Sequence, residues 1–108
     1  MSNSAARVPD GERAWLALAF EDPVKRWVRE YQPSLPALRA VRDWIRSREV
    51  DPFAGVRLEY TLSDRSYFFG AIPGTMTADG RVVTCSYWVF PADGTVRCDM
   101  LSTASWPV

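Results

Sequence analysis

The chain has no histidine, two cysteines and a single lysine, and its 13 basic residues are balanced by 13 acidic ones. Each scarcity removes a class of function. Without imidazole there is no Ser-His-Asp or Cys-His catalysis, no ordinary general base near neutral pH and no His-containing zinc site. Cys85 and Cys98 cannot hold zinc by themselves, so neither a metal nor a cofactor is expected. A formal net charge of zero gives no bulk attraction to nucleic acid or to an anionic membrane. No apolar run approaches the ~20 residues a membrane span needs. The opening Met1-Ser2-Asn3-Ser4-Ala5-Ala6-Arg7 lacks the charged start and apolar centre of a secretory signal. A cytoplasmic protein with two buried free thiols is therefore expected. Gly70-Ala71-Ile72-Pro73-Gly74 has neither the Lys-Ser/Thr nor the following helix of a phosphate loop.

What is present is an ordinary globular composition, 47% apolar and 24% charged over 108 residues, enough for one modest core. Residues 1–9 read as a disordered polar tail and residues 10–108 as a single domain. All but one of the bases are arginine, a preference that GC-rich coding of bacterial type explains without invoking function.

Three helices are predicted first. Asp10 can cap one through Phe20, and Asp22-Pro23 can open a second to about Tyr31, with Val24, Trp27, Val28 and Tyr31 on one face. The third and clearest runs from Leu35 to about Arg48, with Leu38, Val41, Trp44 and Ile45 as its apolar stripe. Its outer row Arg39, Arg42 and Arg46 has the spacing of a phosphate-binding face. With no interleaved aromatics, it reads as a solvated surface, and nucleic acid is not the expected partner.

After Gly55 the period changes to two. Val56 to Leu62 alternates apolar and polar residues, Tyr67 to Ala78 forms a second strand, and Arg81–Phe90 and Thr95–Ser102 form a hairpin around Pro91-Ala92-Asp93-Gly94. The expected fold is α+β, with two or three N-terminal helices packed on one face of a four-stranded antiparallel meander.

Register then sorts the residues. A four-residue loop pairs Trp88 with Arg97 and Ser86 with Asp99, and places Val83, Cys85, Tyr87, Val89, Val96, Cys98 and Met100 on the core face. The first hairpin, if Tyr60 and Leu62 point inward, requires Tyr67 and Phe69 to do the same. The second hairpin instead turns Phe68 and Ile72 inward. A β-bulge near Pro73-Gly74 reconciles the two. With that bulge, the outer face carries Phe68, Ile72, Trp88 and Phe90, ringed by Arg57, Glu59, Arg97 and Asp99, and Gly70 leaves room beside the Trp88 indole.

An exposed apolar patch of this kind marks an interface. The expected function is thus a small interaction module of accessory, immunity or antagonist type that binds a protein partner, or itself as a homodimer, through Trp88, Phe90, Phe68, Ile72, Arg97, Arg57, Glu59 and Asp99. The alternative is a binder of an apolar small molecule, or a small cone-type enzyme, with a cavity between sheet and helices lined by Tyr60, Phe69, Cys85, Tyr87 and Met100. Proton transfer would fall to Tyr60 or Tyr87 on the core face, or to Glu59 and Asp99 on the outer face.

Overall fold

A computed structural model describes residues 14–105. The expected tail at 1–9 and the start of the first expected helix lie outside the described residues. The element order is β1 (Leu16–Leu18), α1 (Glu21–Tyr31), α2 (Leu35–Val50), β2 (Arg57–Thr61), β3 (Ser66–Ala71), β4 (Arg81–Phe90) and β5 (Thr95–Ser105). The α+β class and the two later helices hold. The sheet is mixed and five-stranded, in the order β1-β5-β4-β3-β2.

The extra strand stands where the first helix was expected. Leu16–Leu18 runs parallel to β5, pairing Leu16 with Thr95 and Leu18 with Arg97. Ala, Leu and Trp favour helix locally, but here tertiary partners take the backbone donors. Ala14 N and Trp15 N donate to the Glu49 carbonyl, and Leu16 N donates to the Gly94 carbonyl at 2.9 Å. Ala19, at φ 62°, then breaks the chain sharply, and α1 begins two residues later.

Both helices lie on one face of the sheet. Trp27 of α1 is fully buried, and its indole Nε1 donates to Thr103 Oγ1 of β5 at 3.0 Å. This anchor needs β5 to continue to Ser105, past the expected end at Ser102. In α2, Ser34 Oγ accepts from Ala37 N at 3.3 Å as an N-cap. Its apolar stripe delivers Val41 and Trp44 to the core.

β4 is the spine. Val83, Cys85, Tyr87 and Val89 all face the helices and join Trp27, Val41, Trp44, Phe68, Ile72, Val96, Cys98 and Leu101 in one cluster. Two of these, and Met100 outside the cluster, contradict the expected faces. Phe68 and Ile72, expected outside, are 7% and 0% exposed, whereas Met100, expected inside, is 55% exposed.

The cause is register. β3 pairs with β4 without interruption, Tyr67 with Trp88 through Ala71 with Thr84, so there is no bulge at Pro73-Gly74. The strand ends there instead. Ile72 N still donates to the Val83 carbonyl, and Gly74, at φ 84°, turns the chain away. Thr75 then replaces a ladder residue, its hydroxyl donating to the Ile72 carbonyl at 2.7 Å and accepting from Val83 N at 3.0 Å.

The extra residues sit elsewhere. One is Glu59, between the pairs Leu58–Phe68 and Tyr60–Tyr67. The other is Asp99, between Tyr87–Cys98 and Ser86–Met100. The predicted Trp88–Arg97 pair is present, and the predicted Ser86–Asp99 pair is displaced by the bulge. Gly70 lies on the inner face, opposite Cys85. A Cβ there would come within 2.7 Å of Val56 Cγ1, so the room that Gly70 leaves is for Val56.

Under this core lies a buried cation. Arg48, in the last turn of α2, is 3% exposed. Its Nη1 donates to the Ala54 carbonyl at 2.8 Å and to Tyr87 Oη at 3.0 Å, with the Pro52 carbonyl at 3.5 Å. Nη2 donates to Ser47 Oγ at 3.2 Å. The guanidinium stacks 4.5 Å from the Trp44 ring centre, and Tyr87 donates its own proton to the Pro52 carbonyl. Burial pushes the Tyr87 hydroxyl up, against the opposing pull of Arg48, and keeps it a donor.

Removing the cation takes a donor from the Ala54 carbonyl, the Tyr87 hydroxyl and Ser47 Oγ at once. Arg48→Ala should therefore cost about 3 kcal/mol of unfolding free energy. Arg39→Ala, on the exposed side of the same helix, should stay within about 0.5 kcal/mol. Denaturant melts of the two variants check this, and equal midpoints would contradict the anchoring role.

Candidate functional site

The face of the sheet away from the helices carries side chains that the core does not use. On β4 these are Ser86, Trp88 and Phe90, on β3 Tyr67 and Phe69, and on β2 Arg57 and Tyr60, by the pairing just described. The rings gather in the corner near the β2–β3 turn. Tyr67 and Trp88 stand 4.6 Å apart centre to centre. Tyr60 lies 5.3 Å from Tyr67 and 5.7 Å from Trp88, nearly perpendicular to the indole. Separations of this order add roughly 0.5–1.5 kcal/mol per pair beyond simple burial.

Arginines ride on these rings. Arg65, from the β2–β3 turn, lies 4.6 Å from Phe90 and 5.8 Å from Trp88, and is held in place by a two-point contact with Asp64 at 3.0 Å. Arg57 sits 5.2 Å from Phe69 and pairs with Glu59. A guanidinium on an aromatic face keeps its remaining donors free for a partner.

Asp99 reaches this face because of its bulge. Its Oδ2 accepts from Tyr67 Oη at 2.6 Å and from Ser86 Oγ at 3.3 Å. Burial, and next the bond to Asp99, push the Tyr67 hydroxyl up to about 12. The phenol is therefore a fixed donor and no proton-transfer base near neutral pH. Between these groups lies a dent of about 140 Å³ lined by Arg57, Glu59, Tyr67, Phe69, Thr84, Ser86, Met100 and Ser102. Ligand pockets run to roughly 300–1,000 Å³, so the dent suits one inserted side chain.

Of the eight residues expected to meet a partner, Trp88, Phe90, Arg97, Arg57, Glu59 and Asp99 lie on this face, while Phe68 and Ile72 are core. Tyr60, Tyr67, Phe69, Arg65 and Met100 also belong to it and were not expected there. The signal that places Tyr67 and Phe69 outside is the unbroken parity with buried β4. The five residues of the alternative cavity do not meet, because Cys85 and Tyr87 face the helices and Tyr60, Phe69 and Met100 face away. Cys85 Sγ and Cys98 Sγ are 4.0 Å apart inside the core. The Cys98 thiol and burial push Cys85 up, which leaves it an unreactive thiol.

Comparison with protein-family models, with curated proteins and with solved structures finds no significant match. The site is therefore read from its own geometry.

Two larger grooves flank the helices. One, of about 480 Å³, runs along Tyr31, Ser34, Ala37, Met76 and Arg81. Its threonine hydroxyls are already engaged, Thr75 by the Ile72–Val83 ladder and Thr103 by Trp27. The other, of about 440 Å³, lies between α1 and α2 over Phe20, Val24, Leu38, Val41 and Ile45. Among the described residues no cluster of acidic, thiol or imidazole groups could hold a metal, and no helix is long and apolar enough to cross a membrane. Arg39, Arg42 and Arg46 are exposed on α2, and Arg42 pairs with its neighbour Asp43 at 3.1 Å.

The Tyr67–Asp99 bond gives a pH signature. A phenol whose pKa is raised on folding stabilises the fold below its unfolded value, and that contribution is lost as pH rises from 10 toward 12. Ultraviolet difference titration should show late phenolate steps from Tyr67 and from the buried Tyr87, and Asp99→Asn should bring one of them to lower pH. Late steps all unchanged by Asp99→Asn would contradict the assignment.

Proposed function

We propose that this chain is a small protein-interaction module, of accessory, immunity or antagonist type, which binds a protein partner or a second copy of itself through the outer sheet face. The observation that carries the reading is the packed Tyr60–Tyr67–Trp88 group with Arg65 stacked upon it, on a face where no described element lies. Rigid Trp and Tyr rings bring contact area at low entropic cost, and Trp, Tyr and Arg dominate binding hot spots. Arg97, which no described acidic group engages, and Asp99, whose carboxylate is held by hydroxyls alone, supply orienting charges at the rim. The free cysteines support a reducing compartment, and we place the module in the cytoplasm.

A catalytic reading finds less support. On the outer face Asp99 is held by Tyr67 and Glu59 by Arg57, and the core-facing phenol Tyr87 is tied to Arg48 and Pro52. A small-molecule reading would have to use one of the open helix-flanking grooves.

Arg97→Glu leaves every described contact intact, so it should fold as wild type and yet weaken partner retention on an affinity column at least about tenfold. Trp88→Ala should do the same with some loss of melting temperature, whereas Arg39→Glu, on the opposite side of the molecule, should retain the partner. A partner held equally by all three variants would overturn the reading.

A further inference from the structure

We propose that β2 is a strand-addition edge through which two copies of this chain join their sheets. The inference concerns the rim of the sheet and shares with the outer face only the Arg57–Glu59 pair and Tyr60.

The chain treats its two edges unequally. On one side the short β1 covers Thr95–Arg97 of β5, and α1 packs on the rest of that strand through Trp27 and Thr103. On the other, β2 is paired only with β3 among the described residues, and all five of its residues are exposed. An edge strand offers a row of open backbone donors and acceptors, which monomers usually blunt with charge, proline or bulges. Here β2 carries one such bulge at Glu59 and two charges, yet the strand and its turn also present apolar side chains. Leu58 is 53% exposed, and Tyr60, on the opposite face, and Leu62 in the turn are each 49% exposed. Phe53, itself half exposed, packs 5.5 Å from Phe68, the residue that Leu58 opposes. The helices do not reach this rim.

The charges of β2 identify the occupant. Arg57 and Glu59 are two residues apart on the outer face and bind each other. Set β2 antiparallel to a second β2, with a two-fold axis at Leu58. Arg57 of each copy then faces Glu59 of the other, and Leu58 meets Leu58. Opposite charges across strands are favoured and like charges directly opposed are not. A slip that centres the axis on Glu59 would put two carboxylates face to face, so the same charges that deter random pairing select one register. The contact is isologous and closes as a dimer, with both pairs of helices on one side of a continuous sheet. An unrelated extended peptide would need the same acid and base in the reverse order. This chain carries them.

Sedimentation equilibrium over a wide concentration series tests the proposal. The expected result is a reversible monomer–dimer equilibrium, weakened at least about tenfold by Arg57→Glu or Glu59→Arg alone. The double swap R57E/E59R should restore it, and should not mix with wild type. A synthetic peptide spanning residues 55–62 should compete. Wild type that stays monomeric throughout, or a dimer indifferent to the swaps, overturns the edge. Arg97→Glu separates the two readings. A dimer lost with Arg97→Glu but kept through the swaps belongs to the outer face and overturns the edge alone; a dimer lost only with the single swaps supports the edge and leaves the outer face to its own partner test.

Discussion

A buried guanidinium with no described carboxylate beside it holds this fold together. Taking Arg48 out of water costs several kcal/mol, and its Nε has no hydrogen-bond partner. The return comes from the carbonyl of Ala54, the Tyr87 hydroxyl, the face of Trp44 and the negative end of α2, in whose last turn it lies. One side chain thereby fixes the end of α2, the turn that follows it and the central strand β4. The neighbouring Glu49 does the same for the first strand, accepting from Ala14 and Trp15 through its carbonyl and from Ala17 through its carboxylate at 3.4 Å. The single turn of helix at Arg48 and Glu49 thus ties the first strand and the central strand to α2.

That anchoring leaves a division of labour. Once α1 and α2 sit on Val83, Cys85, Tyr87 and Val89, the opposite face must solvate itself. It does so partly with polar groups, Ser86, Thr84 and Asp99, and partly with rings that no described element covers. Tyr60, Tyr67 and Trp88 pack on one another, and Trp88 also on Arg65. Their packing is thus spare to the main fold, which is why this corner is the strongest candidate for recognition.

The sequence showed the helices at Glu21–Tyr31 and Leu35–Val50 through their periodicity, and the last hairpin through Pro91 to Gly94. The Trp88–Arg97 pair followed from the loop length alone. Two things were illegible for physical reasons. Leu16–Leu18 has the composition of a helix, and only its distant partners Glu49 and Gly94 make it a strand. The alternation in β2 reads as half-buried, yet an edge strand beyond the helices has no core to point at, so Tyr60 turned outward and the inferred face of β3 turned with it. Two bulges, at Glu59 and Asp99, carry no glycine or proline to announce them. Pro73-Gly74, which does carry that signature, ends a strand instead. A one-residue slip exchanged Phe68 and Ile72 for Tyr67 and Phe69, while Trp88, Phe90, Arg97, Arg57, Glu59 and Asp99, fixed by β4 or by charge, kept their side.

The claim that the outer face is the working surface is tested most directly by oxidative side-chain footprinting of the chain, free and in its complex. The account predicts that Trp88, Tyr67 and Met100 lose reactivity on association, while Tyr31 on α1 and Trp15 beside β1 keep theirs. Protection of Tyr31 or Trp15, with Trp88 and Met100 unchanged, would contradict it.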